Sequence, residues 1–205
     1  MIVIGVTGGS GSGKSCFCQQ LRDLCHAPVI DADAVYHSLI VAPSPCTEAL
    51  ADAFGAGVLC EDGSLNRPRL ASVVFCEDDS AKAKLAQLNS ITHQFVRLAF
   101  EERLAEYQKK EEPVVILDVP LLFESGFDAM CDYTVGVLAT YKARLARIMA
   151  RDCLTAEAAS RRLAAQPDDD FYKKRCNAVV YNHGETVTLK KEAEQIASQL
   201  GLLLS

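Results

Sequence analysis

A chain of 205 residues can bury about 70–75% of the surface its unfolded form exposes, enough for one α/β core with small attachments but tight for two independent domains. Its 49% hydrophobic and 23% charged residues are ordinary for a globular protein and argue against disorder. A net charge of −6 argues against a general nucleic-acid binder, which would need basic phosphate contacts, and no apolar run reaches the ~20 residues that span a bilayer. The chain opens on a strand pattern and not on a signal peptide, so a cytoplasmic location is expected. Nine cysteines without any Cys-x-x-Cys pair are expected to be reduced thiols used as small apolar residues, not a zinc site.

In chain order, the apolar run Ile2-Val3-Ile4-Gly5-Val6 predicts a buried strand over 2–7. Directly after it, Gly8-Gly9-Ser10-Gly11-Ser12-Gly13-Lys14-Ser15 fits Gly-x-x-x-x-Gly-Lys-Ser, and 16–24 has a helical pattern. Glycines let the backbone curl round an anion with its N–H groups inward, while the helix adds the positive end of its dipole. A triphosphate is the natural occupant, with Lys14 reaching its outer phosphates and the Ser15 hydroxyl holding Mg²⁺.

A second strand is predicted over 28–31, and Asp31 and Asp33 follow at its carboxyl end, where open parallel sheets collect ligands. Asp33 is the candidate base for an acceptor hydroxyl, and Asp31 the candidate support for Mg²⁺ or Lys14. Either carboxylate could equally cap the next helix. The stretch 34–112 is too long for one crossover, so it is expected to hold an inserted helical subdomain. Within it Leu85, Leu88, Ile91, Phe95 and Leu98 recur at helical spacing, and Pro113 ends that helix.

Val114–Asp118 predicts a third strand whose terminal acid, Asp118, suits a Mg²⁺ ligand beside a phosphate loop. Further strands are predicted over 133–138 and 178–181, completing a parallel sheet with helices on both faces. In 141–175, Arg144, Arg147 and Arg151 share one helical face, either a solvated surface or a lid closing on phosphates. Thr155 is placed to cap a second helix, and Pro167-Asp168-Asp169-Asp170 is expected to be a mobile turn.

These segments together resemble the dephospho-CoA kinase family. The likeness rests on Ile4 to Ser15, Val29-Ile30-Asp31-Ala32-Asp33, Leu65-Asn66-Arg67 and Ile91-Thr92-His93. It continues through Asp118-Val119-Pro120-Leu121-Leu122-Phe123-Glu124-Ser125-Gly126, Arg147 with Arg151-Asp152, Arg162 to Gln166, and Val179 to Gly184. The Pro-Leu-Leu-Phe-Glu-Ser-Gly segment is more specific than the phosphate loop.

The resemblance implies a P-loop NTPase fold of nucleoside monophosphate kinase type, with an inserted helical substrate-binding part and a helical lid. As a single domain over 1–205, its core would be 1–33, 113–140 and 176–205, its CoA-binding insertion 34–112 and its lid 141–175. It implies ATP-dependent phosphorylation of the ribose 3′-hydroxyl of dephospho-CoA. Gly11, Ser12, Gly13, Lys14, Ser15 and Cys16 would bind ATP phosphates, with Arg147 and Arg151, and with them Gln166, in the lid. Asp33 would accept the hydroxyl proton; Arg67, His93, Pro120, Leu121 and Leu122 would hold the acceptor.

The chain departs from the family pattern at three places: His37 where an arginine is frequent, Gln94 where proline commonly follows the histidine, and the pair Cys176-Asn177 in place of Ala-Asp. No nucleic-acid or membrane partner is expected, and the chain is expected to be a monomer or weak homo-oligomer. A uridine or nucleotide kinase is the alternative enzyme. A GTP switch is the non-enzyme alternative, against which the chain lacks Asn-Lys-x-Asp.

Overall fold

Five strands form one parallel sheet in the order β2-β3-β1-β4-β5: β1 Ile2–Thr7, β2 Val29–Asp31, β3 Val114–Asp118, β4 Tyr133–Leu138 and β5 Ala178–Tyr181. The computed structural model describes residues 1–41, 43–76, 80–184 and 186–202; positions 42 and 77–79 of the expected insertion lie outside them. The strands read as unbroken apolar runs because a parallel sheet is covered on both faces. β1 lies between β3 and β4, with Val6 opposite Asp118 and Thr7 opposite Gly136, so the end of β1 and Asp118 are adjacent in the sheet.

The chain divides into two compact units, Met1–Ile30 with Tyr107–Ser205, and Asp31–Glu106. In the first, helices α1 (Lys14–Cys25) and α9 (Thr186–Gln199) bury Phe17, Leu21, Leu189, Ala193 and Ile196 in one cluster with Ile4, Val6, Ile116, Val135 and Val137. Each fully buried Leu, Ile or Phe of this kind contributes about 1.5–3 kcal/mol of transfer free energy. Helices α6 (Tyr141–Asp152) and α7 (Ala156–Ala164) form a smaller cluster through Ile148, Ala159 and Leu163. The Thr155 side chain caps α7 by accepting from the Ala158 N–H.

In the second unit, α2 (Ala32–Ile40), α3 (Pro45–Phe54), α4 (Arg67–Val74) and most of α5 (Ala81–Lys109) surround Ile40, Leu50, Val58, Leu65, Leu70 and Val74. Leu88, Ile91 and Phe95 of α5 pack onto that cluster, whereas Leu85 and Leu98 are exposed. The buried face of α5 runs through Thr92, Val96 and Phe100, so it differs from the predicted apolar stripe.

The expected mobile turn at 167–170 instead leads into helix α8 (Asp169–Arg175): Pro167 and Asp168 precede it, and Asp169 and Asp170 are its first two residues. The Asp168 carboxylate accepts from the Phe171 N–H, Asp169 and Asp170 sit in the first turn, and Lys173, Lys174 and Arg175 in the last. That charge order complements the helix dipole at both ends.

Candidate nucleotide site and lid

The loop between β1 and α1 is held open by its backbone. Gly11 and Gly13 adopt φ of 76° and 94°, in the left-handed region that side chains disfavour. A Cβ on Gly11 would lie 2.7 Å from the Arg144 carbonyl oxygen, and one on Gly13 would overlap the Asn182 carboxamide. Gly13 is the N-cap of α1 and supplies no side-chain acceptor, so the first-turn N–H groups face the loop with no side chain of the cap in their way. Ser12 is 1% exposed, and its Oγ has no hydrogen-bond partner among the described residues. A buried hydroxyl of this kind, inside a glycine loop at a helix N-terminus, suits an anion's oxygens. The residues present thus fit the phosphates of ATP.

Lys14, the first residue of α1, pairs its ammonium with the Asp118 carboxylate. Asp118 ends β3 and is only 4% exposed, and a carboxylate so buried requires a counter-charge. Ser15 follows Lys14 at an exposed position. A hydroxyl and a carboxylate are oxygen donors of the type Mg²⁺ takes alongside substrate phosphates, so this set also fits that ion.

The shared face of α6 meets the loop. Arg144 donates from Nε to the Ser10 carbonyl at 3.1 Å and from Nη2 to Gln166 Oε1 at 2.6 Å. Gln166 Oε1 also accepts from the Ser10 N–H at 2.9 Å. Arg147 donates from Nη1 to the carbonyls of Gly11 at 2.9 Å and Ser12 at 3.3 Å, and from Nη2 to Asn182 Oδ1 at 3.2 Å. Arg151 is exposed and mainly engages neighbouring Asp152, at 2.7 and 2.9 Å, with a longer reach of 3.4 Å to Ser10 Oγ. Hydrogen bonding from Arg151 holds the Asp152 carboxyl below its ordinary range, and Arg162 adds a third charge-assisted bond at 2.6 Å.

The arginine face is thus neither merely solvated nor distant from the loop. Arg144 and Gln166 are more tightly tied to it than Arg151, and Asn182, brought in by β5, was missed as a site residue. The sequence signals for Asn182 were its place just after the last strand and inside the Val179-to-Gly184 segment of the family resemblance.

Arg147→Ala is expected to reduce kcat/KM by about a hundredfold while lowering the melting temperature by only about 2–6 °C, the weight of one or two hydrogen bonds. Activity assays and thermal scans on the same preparation check this. A variant that melts but keeps full activity per folded molecule would make the contact structural.

The Pro120–Gly126 segment leaves the carboxyl end of β3. The Thr7 hydroxyl donates to the Pro120 carbonyl at 2.9 Å, tying the segment to the end of β1. Leu122 is fully buried and lies beside Gly5, whereas Leu121 is 51% exposed. Of the two leucines among the expected acceptor contacts, Leu121 is therefore the one presented outward and Leu122 the anchor. Phe123 meets Phe171 of α8 edge-on at 5.9 Å, and the Arg175 guanidinium lies 4.5 Å from the Phe171 ring centre and 5.7 Å from that of Phe123.

The remaining expected residues belong to the second unit. Asp31 is the N-cap of α2: its Oδ1 accepts from the N–H groups of Asp33 at 2.8 Å and Ala34 at 3.1 Å. Asp33 lies in the first turn of that helix and is exposed. Arg67 opens α4, and its charge opposes the rise that burial imposes on the Tyr36 hydroxyl. Burial, with the charge of Arg97 beside it, lowers the pKa of His93, favouring the neutral imidazole. His37 is exposed in the last turn of α2. In the first unit, Asn177 Oδ1 accepts from the Thr134 N–H at 2.8 Å and hydroxyl at 2.9 Å, bonds that need only an oxygen and that an aspartate could also accept.

All nine cysteines are free thiols. Cys16, beside Ser15, is exposed, as are Cys60 and Cys153. Burial pushes Cys46 and Cys176 up to about 11 and Cys131 up to about 12, keeping those thiols protonated. Iodoacetamide mapped by mass spectrometry should therefore label Cys16, Cys60 and Cys153 before the other six, and ATP with Mg²⁺ should protect Cys16 alone. Equal protection of Cys60 and Cys153 would contradict a ligand confined to the loop.

A parallel sheet with a glycine loop feeding α1, an acid closing β3 and arginines bound to the loop from α6 defines a P-loop kinase. Solved structures share the fold: a shikimate kinase from Bacteroides thetaiotaomicron aligns with a TM-score of 0.56 at 11% identity, over 98% of each chain. A Thermus thermophilus crystal structure aligns with a TM-score of 0.79 at 32% identity, over 97% of each chain.

The chain belongs to the dephospho-CoA kinase family, whose model matches residues 2–188. Among curated relatives, the dephospho-CoA kinase of Bacillus cereus is 36% identical over 202 residues, 98% of each chain. That of Anaeromyxobacter dehalogenans is 38% identical over 200 residues, covering 98% of this chain and 92% of its own.

Proposed function

We propose that this chain transfers the γ-phosphoryl group of ATP to the ribose 3′-hydroxyl of dephospho-CoA, yielding ADP and coenzyme A. The observation that carries the reading is the near-full-length family match on a chain whose loop, Lys14, Asp118 and Arg147 form one hydrogen-bonded cluster. The bond between the γ-phosphorus and its bridging oxygen breaks as the 3′-oxygen bonds to phosphorus. Asp33 orients the hydroxyl and takes its proton. Lys14 leaves Asp118 for the transferring phosphoryl group, and Arg147 adds positive charge from the lid, 141–175.

Ser15 and Asp118, with Asp31 in support, would hold Mg²⁺, which would neutralise charge on the phosphates. Gly11, Ser12, Gly13 and Cys16 would contact ATP phosphates, with Arg151 at the margin of the same site. Arg67, His93, Pro120 and Leu121 contact the acceptor, and Leu122 anchors the last two. The inserted region 34–112 would supply the room a CoA-sized acceptor requires.

No helix among the described residues is long and apolar enough to cross a membrane. We place the enzyme in the cytoplasm, where its free thiols stay reduced, as a monomer or weak homo-oligomer. An ADP-release assay offering dephospho-CoA, uridine and nucleoside monophosphates separately tests the assignment. Turnover should occur with dephospho-CoA, and a preference for uridine or a monophosphate would overturn it.

A further inference from the structure

Asn182 sits at the end of β5 and is 8% exposed. Its Nδ2 donates to the Ser12 carbonyl at 2.9 Å, while its Oδ1 accepts from Arg147 Nη2 at 3.2 Å and from the Gly184 N–H at 3.0 Å. Its own N–H donates to the Leu138 carbonyl at 2.7 Å, so the side chain is projected from a backbone pinned to β4. In a planar trans peptide the carbonyl points opposite to the following N–H. With the Ser12 carbonyl held on the Asn182 side, the Gly13 N–H must point away from Asn182. Arg147 reinforces this by donating to the same carbonyl and to that of Gly11. The contact is close enough that only a glycine fits at 13.

We propose that Asn182 is a positioning residue for the phosphate loop. It fixes the Ser12–Gly13 peptide before nucleotide arrives and orients Arg147 with the same carboxamide, so one side chain sets both the anion donors and the lid cation. The peptide dipole is then aligned in advance, and binding does not have to supply that ordering. The proposal rests on reading the loop as an ATP site but not on the identity of the acceptor.

Asn182→Asp keeps the outline and the Oδ1 acceptor but sets a carboxylate oxygen against the Ser12 carbonyl. ATP·Mg²⁺ binding, measured by titration calorimetry without acceptor, should weaken about tenfold or more, the weight of a buried hydrogen bond lost. The KM for ATP should rise and that for dephospho-CoA stay unchanged. Unaltered ATP affinity in the folded variant would overturn the proposal. Wild-type protein that binds ATP yet leaves dephospho-CoA unphosphorylated would refute the acceptor assignment and leave this test standing. If the aspartate variant does not fold, NMR of the wild-type protein decides. The Asn182 side-chain amide protons should exchange slowly without nucleotide and shift when ATP binds, and free exchange or no shift would overturn the proposal.

Discussion

Lys14→Ala is expected to lower turnover by about a hundredfold or more, equivalent to about 3 kcal/mol of transition-state stabilisation. The ammonium belongs to the first residue of α1 and pairs with Asp118 at the end of β3, and in the proposed mechanism it moves from there to the outer phosphates, where charge collects. The substitution also takes a counter-charge from the buried Asp118 carboxylate, so the variant should be less stable as well as slower. Turnover must therefore be referred to folded protein, by active-fraction titration or circular dichroism. Near-normal turnover per folded molecule would remove the loop lysine from the mechanism.

Asp33→Asn is expected to depress turnover by about a hundredfold with ATP affinity within about twofold, because general-base removal acts on the chemical step. Asp31 divides from it by structure: its Oδ1 caps α2, and asparagine caps as well as aspartate. Asp31→Asn should therefore leave the melting temperature almost unchanged, and any loss should appear in Mg²⁺ or nucleotide dependence. Asp31→Ala, which deletes the cap, should cost about 1 kcal/mol of stability. Equal turnover losses for Asp31→Asn and Asp33→Asn, with equal loss of ATP binding, would contradict this division.

The sheet was legible because its strands are short, uniformly apolar and separated by helical patterns. The predicted 2–7, 114–118, 133–138 and 178–181 coincide with β1, β3, β4 and β5, and 28–31 exceeds β2 by one residue. Pairing order was not legible, since any of several arrangements buries such runs equally well. The Asp168–Asp170 tract misled because consecutive acids after proline suggest a solvated turn, yet acids followed by Lys173, Lys174 and Arg175 describe a short helix with its dipole complemented. Asp33 lies past the end of β2 as expected, in the first turn of a helix whose cap is Asp31, the capping role that either carboxylate could have taken.

At the site, the loop announced itself because its motif is contiguous. The common face of Arg144, Arg147 and Arg151 followed from helical spacing, but what that face meets did not. Asn182 and Ser12 are 170 positions apart, and the β1–β4 and β4–β5 pairings together bring them into contact. Likewise, Leu121 and Leu122 are identical in type, and the backbone alone decides that one is outward and the other buried.

The most direct test is the position of the phosphate in the product. Incubation of wild-type protein with ATP, Mg²⁺ and dephospho-CoA should give a product carrying one added phosphate on the ribose 3′-oxygen by phosphorus NMR, with one ADP released per transfer. A product phosphorylated elsewhere, or ATP hydrolysis with dephospho-CoA recovered intact, would contradict the assignment.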